Sequence, residues 1–179
     1  MLEYCDLHFL CKIVMMAYLS PEEESRFYDR INNTFNCDTK LTIGVNFGIK
    51  DIILPETNGF VRLQIWDLNM KEHFKVVEKR YLVGANALLI VLNSKEGGYL
   101  SKVQKKVDQL KTKYQITKTP YPLLVLVDKR NFHPRSRIFN QTIANFIGVD
   151  DYFECDLMTG KMVEETFQTI AKVLSRNTN

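Results

Sequence analysis

Two uninterrupted apolar runs, Ala87–Asn93 (ALLIVLN) and Leu123–Val127 (LLVLV), constrain the fold of this chain more than any other feature. Each has the length of a strand and no charged residue that would face water. That is the pattern of a strand covered on both sides, which belongs to a parallel sheet whose crossovers are helices. Between the runs, Tyr99–Tyr114 is amphipathic at helical period. Two further helices are expected near Ser136–Ile147 and Val163–Ser175, with a short strand at Tyr152–Cys155 between them. Strand and helix therefore alternate, which predicts a doubly wound α/β sheet.

The first half of the chain completes the sheet. Cys11–Ala17 is an apolar run suited to a central strand, and it leads into Ser20-Pro21-Glu22-Glu23, a strong helix-start signal for a helix to about Phe35. Val45–Leu54 and Phe60–Asp67 are rich in β-branched and aromatic residues and are joined by the turn chemistry of Pro55–Gly59, so they form a hairpin. The expected architecture is a six-stranded, mostly parallel sheet with one antiparallel edge strand, flanked by about five helices. Residues 1–10 are expected as an N-terminal extension, 11–176 as a single domain and 177–179 as a tail. In such sheets ligands bind outside the carboxyl ends of the strands. Function is therefore expected in the loops after Ala17, Asp67, Val127 and Cys155.

Charge and cysteine usage exclude several classes. The net charge is only +3. Residues 1–60 hold five Lys/Arg against nine Asp/Glu, and residues 61–179 hold 19 against 12. The lysines Lys102, Lys105, Lys106, Lys111 and Lys113 recur at helical spacing, and a solvated helix face accounts for them without nucleic acid. Cys5, Cys11, Cys37 and Cys155 form no CxxC pair, so neither a zinc site nor a disulfide framework is expected. Reduced thiols fit a cytoplasmic protein. The stretch Phe9–Leu19 contains Lys12 and lacks the basic start and the length of a signal or membrane segment. Arg176–Asn179 holds no cysteine for a prenyl group, and Met1-Leu2 offers no glycine for myristoylation, so no direct lipid anchor is expected. Membrane recruitment is expected only through a partner.

The segment Thr42-Ile43-Gly44-Val45-Asn46-Phe47, followed by Val61-Arg62-Leu63-Gln64-Ile65-Trp66-Asp67, resembles the interswitch hairpin of Rab-type small GTPases of the Ras superfamily. The resemblance continues through Glu72-His73-Phe74 and Tyr81-Leu82-Val83-Gly84-Ala85, and more loosely to the last helix. It implies a Ras-like P-loop NTPase fold. In that family a glycine-rich loop, GxxxxGK[ST], wraps the phosphates with backbone N–H groups, its Lys reaches the β/γ-phosphates and its Ser/Thr holds Mg²⁺.

The matching stretch here is Ala17-Tyr18-Leu19-Ser20-Pro21-Glu22-Glu23-Glu24. Ala17 and Glu22 stand for the glycines, Glu23 for the lysine and Glu24 for the hydroxyl residue. Pro21 also deletes an N–H donor. At about 4 Å and an effective dielectric of about 20, a lysine–phosphate pair is worth roughly 4 kcal/mol, so reversing its sign changes binding by about 8. A nanomolar site holds only about 12 kcal/mol. As structure, the same residues make sense: Ser20 as N-cap, Pro21 at the first helical position and Glu23 reaching back form a capping box.

The other motifs that the resemblance implies have also changed. DxxGQ reads Asp67-Leu68-Asn69-Met70-Lys71, with Met70 for the glycine that senses γ-phosphate and Lys71 for the glutamine that orients water. NKxD reads Asp128-Lys129-Arg130-Asn131, and an Asn at the last position cannot offer guanine a two-acceptor edge. Thr42 matches the switch threonine on Mg²⁺, but it and Asp67 are as readily a strand-end hydroxyl and a turn carboxylate. Asp156-Leu157-Met158 keeps nothing of the family's SAK loop.

Phe47, Trp66 and Tyr81, by contrast, match the aromatic triad through which Rab-like proteins meet effectors. They are either anchors for a protein partner or core aromatics. On the first reading, replacing Phe47 and Trp66 with Ala abolishes partner binding and leaves the melting temperature nearly unchanged. The expected function is thus that of a pseudoGTPase: a protein-binding adaptor or scaffold in trafficking or signalling, independent of nucleotide and with no cofactor. The alternative is a divergent small GTPase that still binds GTP or another nucleotide, with Mg²⁺, in an altered pose and hydrolyses it slowly.

Overall fold

A computed structural model describes residues 6–20, 22–27, 45–55, 59–68, 78–93, 99–114, 122–128 and 137–177. Six strands, β1 (Asp6–Tyr18), β2 (Val45–Leu54), β3 (Gly59–Leu68), β4 (Ala87–Asn93), β5 (Leu123–Asp128) and β6 (Asp151–Cys155), form one sheet in the order β2-β3-β1-β4-β5-β6. β2 runs antiparallel to β3 at one edge, and every other pairing is parallel. This is the doubly wound, Ras-like arrangement expected from the apolar runs. The helices are a segment over residues 22–27 (α1), α2 (Glu78–Tyr81), α3 (Tyr99–Tyr114), α4 (Arg137–Ile147) and α5 (Val163–Asn177).

Side-chain alternation along the strands sorts the core into two layers. Ile13, Met15, Leu63, Ile65, Leu89 and Val91 face one side, where they bury Phe27 of α1 and Phe167, Ile170 and Leu174 of α5. Val14, Met16, Leu88, Ile90 and Val125 face the other, against Val103, Val107 and Leu110 of α3 and Ile143 and Ile147 of α4. Two-sided burial is why these strands read as continuous apolar runs. α4 stops at Gly148, whose φ of 73° is open to glycine at little cost, and Val149 N–H closes the turn on Ala144 C=O at 2.9 Å.

Two boundaries and one element differ from the sequence expectation. β1 begins at Asp6 instead of Cys11, with Asp6 in register with Gly59, so residues 6–10 are part of the sheet and not an extension outside it. The register slips between Leu7 and Phe9, and Leu10 stays 52% exposed. That irregular alternation hid the strand. Asn177 belongs to α5 and not to the tail. α2 was not expected, because four residues are too few to show a period. The continuation of α1 expected to Phe35 lies outside the described residues.

Candidate functional site at the carboxyl ends of the strands

The register brings the expected loops to one end of the sheet. Met15 is level with Asp67, Ala17 with Val91, Asn93 with Asp128, and Asp128 with Cys155. Ala17, Glu22, Glu23, Glu24, Asp67 and the backbone of Asp128 are therefore gathered there. Thr42, Met70, Lys71, Lys129 and Asn131 lie outside the described residues.

The helix start forms the capping box expected from the sequence. Ser20 N–H donates to Glu23 Oε2 at 2.9 Å, Glu23 N–H donates to Ser20 Oγ at 3.4 Å, and Glu24 N–H reaches Ser20 C=O at 2.8 Å. Glu23 is only 3% exposed. Asn93, at the end of β4, donates from Nδ2 to the same Glu23 Oε2 at 3.0 Å. The carboxyl group thus ties the helix start to the neighbouring strand through a side-chain hydrogen bond, of the kind worth about 1 kcal/mol. Asn93 was not singled out from the sequence. The only signal was a polar residue ending an apolar run.

Arg26 fixes the next turn. Its guanidinium pairs with Glu22 and, through Nη1, donates to Met158 Sδ at 2.9 Å. Met158 sits in the loop after β6, where Asp156 Oδ1 accepts the N–H groups of Met158 at 2.9 Å and Thr159 at 3.2 Å. The carboxylate of Asp156 is thus engaged in shaping its own turn.

Asp67 is 1% exposed, and its carboxyl is pushed up to about 8, first by burial and then by the neighbouring Glu24 carboxylate. At neutral pH it is largely protonated. Of the two sequence readings, metal ligand or turn carboxylate, neither anticipated a buried, neutral acid. Among the described residues, no group of three His, Cys, Asp or Glu side chains is arranged to hold a metal ion.

The aromatic triad is assembled. The Phe47 and Trp66 rings meet edge to face with centroids 5.0 Å apart, and Trp66 lies 6.1 Å from Tyr81 at 41°. Phe47 and Trp66 are directly opposite in the β2–β3 register. All three rings are half-buried, and Trp66 and Tyr81 pack against the core layer beneath α3 and α4. Trp66 Nε1 is itself buried and has no hydrogen-bond partner among the described residues. Each of the two readings, surface anchor and core aromatic, therefore describes part of the triad. Because the indole contributes core contact, replacing Phe47 and Trp66 with Ala is expected to lower stability as well as partner binding. Lys12, which sequence reasoning left aside, places Nζ 5.0 Å from the Trp66 ring and donates to Val83 C=O at 2.8 Å. Lys12 and Asn86 also exchange two bonds of 2.8 Å, which pins the turn after α2 to β1.

A doubly wound sheet with its polar loops at the carboxyl ends, an antiparallel β2–β3 hairpin and an aromatic triad beside it defines a Ras-like domain. The sequence profile of the Ras family matches residues 25–176. Similar relatives include the Ypt/Rab-type GTPase ypt7 of Schizosaccharomyces pombe, 24% identical over 94% of this chain and 83% of that protein. The Ras-related protein Rab-1 of Theileria parva is 26% identical over 94% and 76%, and Rab-4A of Danio rerio is 26% identical over 94% and 78%. The chain belongs to the Ras family. Among the described residues, no helix is long and apolar enough to cross a membrane.

Proposed function

We propose that the chain is a Rab-like pseudoGTPase, acting as an adaptor or scaffold subunit that binds a protein partner without a nucleotide switch. The observation that carries this reading is buried Glu23, held by Ser20 and Asn93 where the family's motif has its phosphate-binding lysine. GTP with Mg²⁺ is the ligand the family implies, and the described residues do not fit it. Glu23 and Glu24 stand where the motif has its lysine and its hydroxyl residue, and a carboxylate there repels a group that is itself highly negative. Ser20 Oγ accepts the Glu23 N–H and Glu23 Oε2 accepts the Ser20 N–H, so the chain's own side chains take up N–H groups at the helix start that a phosphate would otherwise meet.

The half-buried triad of Phe47, Trp66 and Tyr81 supports a protein-binding role. It offers rigid aromatic area beside an edge strand, the kind of surface that anchors partners. In this reading the protein works in the cytoplasm, or at a membrane to which it is recruited. Release of small molecules from the purified protein, followed by chromatography, tests the nucleotide part. No stoichiometric guanine nucleotide is expected. A second reading, a divergent GTPase, is favoured by the description of a relative as a Rab-type GTPase and by the retention of Asp67. Stoichiometric GDP or GTP in the released fraction would select it.

A further inference from the structure

Side-chain alternation leaves one stretch of the sheet without a helix over it. Cys11, Ile52 and Val61 face the α5 layer, so Leu10, Ile53 and Phe60 point to the opposite side, where Trp66 also lies. Over that side α3 and α4 pack on Val14, Met16, β4 and β5, and α2 reaches only the Trp66 end of the hairpin, through Tyr81. Among the described residues, no helix lies over the other end. Leu10 is 52% exposed there and Ile53 58%, and Phe60 is half-buried. Single exposed apolar side chains are ordinary, but these three are brought together by register: Ile53 is opposite Phe60, and Leu10 is level with Arg62, two residues further along β3. The Arg62 guanidinium donates to both Asp51 oxygens at 2.7 Å and lies 5.5 Å from the Phe60 ring, so the charge inside the patch is neutralised and fixed.

From this face we propose that the docking surface runs the whole length of the hairpin, from the aromatic triad to Leu10, Ile53 and Phe60, and takes a single amphipathic α-helix of a partner protein laid along the strands. The inference rests on the adaptor reading and deepens it: that reading names the triad, and the second apolar patch gives the partner's shape and chemistry. Phe47 and Ile53 are six residues apart on β2, about 20 Å, which about 13 residues of helix span. Three strands are about 10 Å across, the width of one helix. Helices cover the two core layers of this sheet, whereas here the described residues supply only the four of α2. Charge completes the description. Between the two apolar ends, Lys12 meets the Trp66 ring and the Val83 C=O but no carboxylate among the described residues, whereas Arg62 is paired with Asp51. A complementary helix therefore carries an Asp or Glu between two apolar clusters. A second copy of this chain fits less well, because its own exposed apolar helix, α4 with Phe139 and Phe146, has no acidic residue.

The test is selection of displayed helical peptides of about 18 residues on the immobilised full chain, followed by titration of the selected peptides against variants. The selected peptides are expected to place two apolar clusters about 13 residues apart with an acid between them. Leu10→Thr and Ile53→Thr are each expected to weaken binding at least fivefold, as Phe47→Ala does. Both threonine variants keep the wild-type melting temperature, because the side chains are exposed and threonine suits a strand. Changing the peptide's central acid to its amide weakens binding too, and added salt weakens the binding of the acidic peptide. Peptides that need Phe47 but neither Leu10 nor Ile53 overturn the inference and leave the adaptor reading standing. Recovery of no helical peptide also overturns it, whereas guanine nucleotide released from the purified protein overturns the adaptor reading instead. Self-association of the full chain that Ile53→Thr abolishes overturns it as well, by making a second copy the occupant.

Discussion

Glu23 takes up at the opening of α1 a place that a ligand takes elsewhere in this fold: its carboxyl accepts the Ser20 N–H and the Asn93 amide. A lysine there would bury an ammonium against the N–H groups of Ser20 and Asn93, all donors. Glu23→Lys, although it restores the family's charge, is therefore expected to destabilise the protein by about 3 kcal/mol or more in urea denaturation. It is expected to bring no nucleotide binding with it. Glu23→Gln, which keeps an acceptor for Ser20, is expected to cost about 1 kcal/mol. Asp67 sets a pH signature. Its carboxyl titrates near 8 in the fold against 3.8 ordinarily, so across that window the folded state holds a proton that the unfolded chain has lost. Stability then falls as pH rises from about 4 to about 8, by at most about 1.4 kcal/mol per pH unit from this group. Asp67→Asn is expected to flatten that limb in a series of melts at different pH. An unchanged slope would show that Asp67 ionises freely in the fold.

At the scale of elements, the hairpin is fixed from both of its faces. On one, Lys50 of β2, 5% exposed, pairs with Glu164 of α5 at 2.6 Å. Glu164→Ala leaves a buried cation without this partner and is expected to cost about 1–3 kcal/mol, whereas Lys50→Met is expected to be close to neutral in the same unfolding assay. On the other face, Phe47→Ala removes an edge-to-face pair and half-buried area, about 1–2 kcal/mol, and Trp66→Ala costs more because the indole also meets the core. Partner capture by Phe47→Ala, measured against its melting temperature, separates the anchoring role from the packing role. The hairpin was legible because its strands alternate and its turn is written in Pro55–Gly59. The capping box was legible because Ser20 and Glu23 satisfy a local rule at fixed spacing. Asn93, Lys12 and Arg26 were not, because each acts across tens of residues of sequence, and no local pattern records which loop a side chain will meet. Nor could sequence rank Asp67 as buried and neutral, since its state depends on Glu24 and on the layers that close over it.

For the whole molecule, the two-sided sheet supplies the core that holds the strand ends in place. Because Ser20 and Glu23 cap the helix start where the phosphate loop would lie, the domain is expected to have the same stability with or without nucleotide. A ligand present at a thousand times its dissociation constant adds about 4 kcal/mol, which for a domain of this size raises the melting temperature by roughly 8–16 °C. The direct measurement is the melting temperature of the purified, nucleotide-stripped protein with and without millimolar GTP and Mg²⁺, repeated with XTP and ATP. The capped, acidic helix start predicts no shift with any of the three. A rise of several degrees with GTP, abolished by EDTA, would contradict it and restore the chain to the nucleotide-binding members of its family.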